Sequence, residues 1–89
     1  MMRTIDFTKR AQKYIKTLVP KHQKQIIKNI LALQENVQPQ DSKKLHGYDY
    51  HRIDSGEYRI IYWWNDTTVF VLLVGKRNGA EVYKKLRRM

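Results

Sequence analysis

Two apolar runs in the C-terminal half of the chain constrain its fold more than any other feature. They extend from Glu57 to Trp64 and from Thr68 to Gly75, and a short polar break that begins with Asn65-Asp66 separates them. Both runs are rich in β-branched and aromatic residues, and so short a break is typical of a β-hairpin. A further strand is predicted at Tyr50 to Ile53, joined to the first run by Asp54-Ser55-Gly56. The sequence therefore predicts three consecutive antiparallel strands.

Both faces of these predicted strands carry apolar side chains, because residues alternate between faces along a strand. In the Glu57–Trp64 strand, one face holds Tyr58, Ile60, Tyr62 and Trp64, and the other holds Arg59, Ile61 and Trp63. In the Thr68–Gly75 strand, strict alternation sets Val69, Val71 and Leu73 against Phe70, Leu72 and Val74. A large uncovered apolar face is uncommon on a monomer. We therefore expect helices on one face, and the C-terminal segment or a partner chain on the other.

The N-terminal half supplies the helices that the sheet needs. A short edge strand is predicted from Arg3 to Phe7, and Thr8 offers a hydroxyl that can cap a following helix. Apolar residues then recur at helical spacing from Lys9 to Leu18. Pro20 ends this helix and suits the first turn of the next, which is predicted to extend to about Asn36. The short connection predicts a helical hairpin.

The predicted fold class is α+β, in a single domain that spans residues 1–89. A small antiparallel sheet packs against the N-terminal α-helical hairpin. The segment from Gly79 to Leu86 is predicted to form a short C-terminal helix. That helix is too short to cover the second face of the sheet alone, which favours a partner chain.

The charge balance indicates a polyanionic partner. The chain has 18 lysines and arginines against 8 acidic residues, which gives a formal net charge of +10. Nucleic acid is the leading partner class, and an acidic protein is the second. A membrane surface ranks third, because no basic helix presents a wide apolar face.

Several functions are disfavoured by residues that the chain lacks. It has no cysteine, which excludes disulfides, thiolate zinc sites and a cysteine nucleophile. Its histidines, His22, His46 and His51, lack a third ligand at metal-like spacing. We therefore predict no metal site and no cofactor. No signal peptide or membrane-spanning run is visible, so a cytoplasmic protein is expected.

Arginines on the predicted strands are the candidates for a phosphate site. Arg59 lies mid-strand between hydrophobic residues, Arg77 follows the last strand, and Arg52 lies on the first. A guanidinium group presents a rigid fork of donors that matches phosphate oxygens. The alternative for Arg59 is an internal salt bridge to Glu57 or Asp54.

Other candidates surround these arginines. Tyr83 could stack on a base or bind a phosphate oxygen, or could merely anchor the C-terminal segment. His51 could carry a proton, or could simply be exposed. The lysines predicted to bind RNA are Lys43, Lys44, Lys76 and Lys84.

The runs R-I-D-S-G-E-Y-R-I-I-Y, V-F-V-L-L-V-G-K-R and E-V-Y together resemble the RelE/ParE superfamily of bacterial type II toxin–antitoxin toxins. The likeness is greatest to the RelE branch, because G-K-R followed by E-V-Y is typical of that branch. Y-R-I-I-Y is shared across the superfamily, and K-K-L-H-G matches the segment before the sheet. The resemblance implies the element order β-α-α-β-β-β-α.

The resemblance to RelE also implies a function. RelE-type toxins are ribosome-dependent endoribonucleases that cut mRNA in the ribosomal A site, where a 2′-hydroxyl attacks the neighbouring phosphate. Their working residues correspond by position to Arg52, Arg59, Arg77 and Tyr83. A family lysine corresponds to Tyr50 and is absent here, so His51 becomes the candidate proton carrier. An arginine cage can stabilise the charged phosphate without a metal.

The same resemblance implies partners and leaves alternatives open. The expected partners are a small acidic, partly disordered antitoxin that wraps the toxin, together with mRNA and the ribosome with its 16S rRNA. One alternative is a ParE-like inhibitor of DNA gyrase on the same fold. The other is an RNA-binding module without catalysis.

Overall fold

The computed structural model describes residues 2–78 and 81–88, which form five strands and three helices. In chain order they are β1 (Thr4–Phe7), α1 (Lys9–Lys16), α2 (Pro20–Ala32), β2 (Lys43–Lys44), β3 (His51–Ser55), β4 (Tyr58–Trp64), β5 (Thr68–Lys76) and α3 (Glu81–Arg87). The predicted order is confirmed, with the two-residue strand β2 in addition. Of the predicted C-terminal helix, Gly79 and Ala80 lie outside the described residues.

All five strands form one sheet, in the order β1-β5-β4-β3-β2. The pairs β2–β3, β3–β4 and β4–β5 are antiparallel, whereas β1 pairs in parallel with β5. The sheet is therefore mixed rather than wholly antiparallel as the sequence suggested. The parallel pair joins distant parts of the chain, with Thr4 opposite Thr68 and Phe7 opposite Val71. As predicted, β1 lies at an edge.

The helices begin where the capping residues predict. The Oγ1 atom of Thr8 accepts a hydrogen bond from the backbone N–H of Ala11 over 3.1 Å, and Pro20 occupies the first turn of α2. Both helices end earlier than the apolar pattern suggested, at Lys16 and at Ala32. Within the described ranges, no helix has the length and apolar character needed to cross a membrane.

The first core lies between helices α1 and α2 and one face of the sheet, which we call the first face. Its central buried residues are Ala11, Ile15, Ile26, Ile30, Leu33, Ile53, Tyr58, Ile60, Tyr62, Val69, Val71 and Val74. The face predicted for Tyr58, Ile60 and Tyr62 is thereby confirmed. Burying a large apolar side chain contributes roughly 1.5–3 kcal/mol, so this layer dominates the packing.

The second core lies on the opposite, second face, beneath α3. Its buried residues are Leu45, Ile61, Leu72, Leu73, Val82 and Leu86. Because α3 is short, it covers only part of this face, and Trp63 stays 37% exposed.

A β-bulge in β5 changes the face of the residues that follow it. Ile61 pairs with Leu73 but the next residue, Tyr62, pairs with Val71, so Leu72 is the extra residue. Consequently Leu73 belongs to the second core and Val74 to the first. The strict alternation predicted for this strand is therefore wrong after Val71, because one inserted residue reverses the faces.

Candidate functional site

Arg59 lies at the centre of the candidate site, on the second face of β4. Its cross-strand partners are Asp54 on β3 and Gly75 on β5. The guanidinium donates from Nε to Asp54 Oδ1 over 2.7 Å and from Nη2 to Asp54 Oδ2 over 3.2 Å. Its Nη1 atom donates to the hydroxyl of Tyr83 over 2.9 Å. Arg59 therefore links the sheet to α3.

These contacts leave part of the guanidinium group available to an anion. Of the five N–H donors of an arginine, the three bonds to Asp54 and Tyr83 occupy one on each nitrogen. One N–H remains on Nη1 and one on Nη2. N–H groups of a guanidinium are strong donors to phosphate oxygens.

Asp54 holds two arginines at once. Its Oδ1 atom is 2.7 Å from Arg59 Nε and 3.7 Å from Arg52 Nη1. The hydrogen bond from Arg59 is the main reason that the pKa of Asp54 lies below its ordinary value, and the charges of Arg52 and Arg77 lower it further. The same hydrogen bond raises the pKa of Arg59. The ion pair is therefore fully charged at neutral pH.

An open cleft adjoins this cluster. It is lined by Lys44, Leu45, His46, Tyr48, Arg52, Tyr83, Leu86 and Arg87. Four of these side chains are lysine, arginine or histidine, and none is acidic. The cleft is therefore suited to a phosphate-bearing ligand.

The four principal candidates do not all have the same surroundings. Arg52, Arg59 and Tyr83 lie together as described above. Arg77 is exposed just beyond β5, where its backbone N–H donates to the carbonyl of Glu57 over 2.8 Å. It is close enough for its charge to lower the pKa of Asp54. The structure thus has Arg77 at the margin of the cluster rather than at its centre.

His51 lies on the other side of the sheet from the arginine cluster. Its ring packs 4.6 Å from that of Trp64 and 6.2 Å from that of Tyr62, which belongs to the first core. Burial, followed by the charge of Lys44, lowers its pKa. The structure therefore does not bring His51 together with Arg52 and Tyr83.

The predicted RNA-binding lysines are spread around the sheet. Lys44 lines the cleft, and its Nζ atom is 3.9 Å from Asp49. Lys43 is the cross-strand partner of Arg52, whereas Lys76 lies opposite Tyr58, a residue of the first core. Lys84 is exposed on α3.

Three charged or aromatic residues of the cleft were not predicted as site residues from the sequence, namely His46, Tyr48 and Arg87. His46 and Tyr48 belong to the turn after β2, and Arg87 ends α3. The available signal was their nearness in the sequence to predicted site residues: His46 and Tyr48 come shortly before Arg52, and Arg87 comes shortly after Tyr83. Of the two salt-bridge partners considered for Arg59, Asp54 is the one observed. Within residues 2–78 and 81–88, no group of three acidic or histidine side chains could hold a metal ion.

Comparison with known proteins identifies the class. A family model described as the ParE toxin of the type II toxin–antitoxin system parDE matches residues 5–80. Fold, basic cleft and family match together define a toxin of a type II toxin–antitoxin system. No match was found among the curated proteins.

Solved structures narrow the class further. A free form of the E. coli toxin RelE, with two arginines mutated to alanine, is 32% identical, covers 100% of this chain and 99% of its own, and has a TM-score of 0.80. RelE of the Pyrococcus horikoshii RelE–RelB complex is 26% identical over 88% of this chain and 98% of its own, with a TM-score of 0.76. A chain of the intact E. coli RelBE toxin–antitoxin complex is 30% identical over 86% of this chain and 99% of its own, with a TM-score of 0.74. The chain belongs to the RelE/ParE superfamily and is a toxin of the RelBE type.

Proposed function

We propose that this protein is a ribosome-dependent endoribonuclease that cleaves mRNA in the ribosomal A site and thereby inhibits translation. The observation that carries the proposal is the hydrogen bond from Arg59 to Tyr83 beside an open basic cleft that Arg52 lines. Similarity to the toxin RelE over the whole chain supports the assignment.

The proposed reaction is transesterification within the RNA. The 2′-oxygen attacks the adjacent phosphorus, the bond from phosphorus to the 5′-oxygen breaks, and the products are a 2′,3′-cyclic phosphate and a 5′-hydroxyl. Negative charge grows on the phosphate oxygens in the transition state. Arg52 and the remaining N–H groups of Arg59 are suited to stabilise that charge, with Arg77 as a third donor. Guanidinium groups stay charged at any working pH, so we propose that no metal ion is required.

Tyr83 is suited to donate a proton or hydrogen bond to the leaving oxygen. Its hydroxyl accepts a hydrogen bond from Arg59, so its own proton points elsewhere. The 2′-hydroxyl must also lose a proton. His46 is the histidine that lines the cleft, and an imidazole can accept and pass on a proton, so we assign it as the proton acceptor.

An antitoxin is the proposed protein partner. The P. horikoshii and E. coli neighbours are described as complexes of RelE with RelB. A net charge of +10 favours an acidic partner, and the second face of the sheet is only partly covered by α3. We therefore infer that a small acidic antitoxin binds this chain.

Primer extension on mRNA bound to purified ribosomes tests the nuclease. We expect cuts in phase with the A-site codon, no cuts in the same mRNA without ribosomes, and loss of cutting in Arg77→Ala. Lys21→Ala is the matched control, because it removes an exposed positive charge from α2 away from the cleft. Uncut mRNA with active ribosomes would contradict the proposal.

Inhibition of DNA gyrase is the second candidate function, because the matching family model describes a ParE toxin. A supercoiling assay with purified gyrase separates the two. Gyrase inhibition with intact mRNA would favour the ParE-like function. RNA binding without either effect would favour a non-catalytic module.

A further inference from the structure

A row of aromatic side chains leads away from the cleft across the second face. Tyr48 lines the cleft, and its ring stacks on that of Tyr50 with the centroids 5.7 Å apart and the planes at 17°. Further across the sheet, Trp63 stacks on Phe70 with a centroid distance of 4.3 Å and an interplanar angle of 14°. We call these four residues the aromatic row.

The register of the strands places the two stacked pairs side by side on the second face. His51, the first residue of β3, pairs with Tyr62 of β4, so continuing the same register aligns Tyr50, just before β3, with Trp63. Trp63 in turn pairs with Phe70 across β4 and β5. Adjacent strands lie about 4.8 Å apart, so the two stacked pairs are neighbours across the sheet.

The row is accessible, although part of it supports the core. Tyr50 and Phe70 pack against the second core, which fixes their side of the sheet. Tyr48 is 38% exposed and Trp63 is 37% exposed, and both belong to the few large hydrophobic residues that remain exposed. Aromatic rings that are held in place by the core and still reach solvent are suited to stacking on other rings.

We propose that the aromatic row binds the bases of the single-stranded RNA that flanks the scissile phosphate. Stacking of successive bases on sheet aromatics beside a basic groove is a general mode of binding single strands. This inference rests on the proposed nuclease function, because the row starts at the cleft where the phosphate would be cut. It assigns a role to Tyr50, which replaces the lysine expected from the resemblance.

The charges around the row set the orientation of the strand. Arg52 and Lys44 lie at the cleft end. Two carboxylates adjoin the row: Asp49 follows Tyr48, and Asp6 is the cross-strand partner of Phe70. Because carboxylates repel phosphates, the bases face the rings and the backbone faces the basic cleft.

Fluorescence anisotropy with a short labelled RNA, whose scissile 2′-hydroxyl is replaced by hydrogen, tests this inference without ribosomes. We expect Trp63→Ala to weaken binding roughly 5- to 150-fold, the change that corresponds to one stacked base. Trp63→Tyr keeps a ring and should retain most of the affinity. Trp64→Phe is the matched control, because Trp64 packs on the first face beside His51 and Tyr62.

The results separate this inference from the nuclease proposal. Unchanged RNA affinity in Trp63→Ala, with mRNA cleavage still dependent on Tyr83, would overturn the row as an RNA site and leave the nuclease intact. Ring-dependent RNA binding without any cleavage would support the row and refute the nuclease. If Trp63→Ala abolished binding of a purified antitoxin while RNA affinity was unchanged, the row would be a protein interface, and the inference would be wrong.

Discussion

Arg59 and Tyr83 are 24 residues apart in the chain, yet the guanidinium of the first donates to the hydroxyl of the second over 2.9 Å. Gly75 makes this contact possible. It pairs with Arg59 across the sheet, and Val82 of α3 packs directly over it. The helix therefore approaches β5 closely enough for Tyr83, the residue after Val82, to reach Arg59.

Gly75→Ala should displace α3. A Cβ atom at this position would lie 2.7 Å from Val82 Cγ2, well inside ordinary van der Waals contact. Overpacking of this kind costs about 1–3 kcal/mol in the free energy of unfolding. Urea unfolding measures this loss, and mRNA cleavage should fall as well because Tyr83 moves. In the double variant Gly75→Ala/Val82→Ala, the truncated side chain should restore part of the stability; an equal loss in both variants would contradict the contact.

Tyr83→Phe should abolish most of the proposed cleavage while the protein remains folded. Removing one donor to a transition-state anion costs about 2.7–4 kcal/mol of barrier, which corresponds to a rate reduced about 10²- to 10³-fold. The lost hydrogen bond to Arg59 should cost only about 0.5–1.5 kcal/mol of stability. Single-turnover cleavage on ribosomes measures the rate. Tyr14→Phe removes a phenol on α1, away from the cleft, and should leave the rate unchanged.

The pH dependence of stability should reveal the ion pair of Asp54. The pKa of Asp54 is lower in the folded protein than the ordinary 3.8, chiefly because Arg59 donates to it. Its contribution is therefore complete above the unfolded-state pKa and is lost as the pH falls through the folded-state pKa. The stability difference between the wild type and Asp54→Asn should be constant near neutrality and shrink below about pH 4. Asp49→Asn, which changes a fully exposed carboxylate, should show no such trend.

Much of the fold could be predicted because its signals are local. The hairpins follow from alternating residues around short polar turns, and the helices follow from Thr8, Pro20 and apolar spacing. The parallel pairing of β1 with β5 could not be predicted, because it joins residues about 64 positions apart and no local pattern specifies which strand β1 pairs with. The bulge at Leu72 also has no signal, because an ordinary leucine occupies it.

The candidate site was predictable in residue type more than in geometry. The arginines were identified, but the choice of Asp54 over Glu57 depends on the register, in which Asp54 lies directly opposite Arg59. The position of His51 was readable from the sequence. Neighbours along a strand point to opposite faces, so His51 and Arg52 could not both line one cleft. The bulge also determines which residue of β5 faces α3, because it places Gly75 rather than Val74 on the second face.

Tyr62→Phe should destabilise the fold without affecting the cleft, because Tyr62 lies in the first core. Its hydroxyl donates to the carbonyl of Val37 over 2.7 Å, and the side chain is fully buried. Losing this bond should cost about 0.5–1.5 kcal/mol in the free energy of unfolding, while mRNA cleavage stays at the wild-type rate.

Burial also raises the pKa of Tyr62 from 10.0 to about 12. A raised pKa means that the stability from the neutral phenol is complete below the unfolded-state pKa and is lost as the pH rises through the folded-state pKa. Burial also raises the pKa of Tyr14, so ultraviolet titration of the six tyrosines should show a late-ionising component that Tyr62→Phe reduces. A late component that was undiminished in Tyr62→Phe would contradict this assignment.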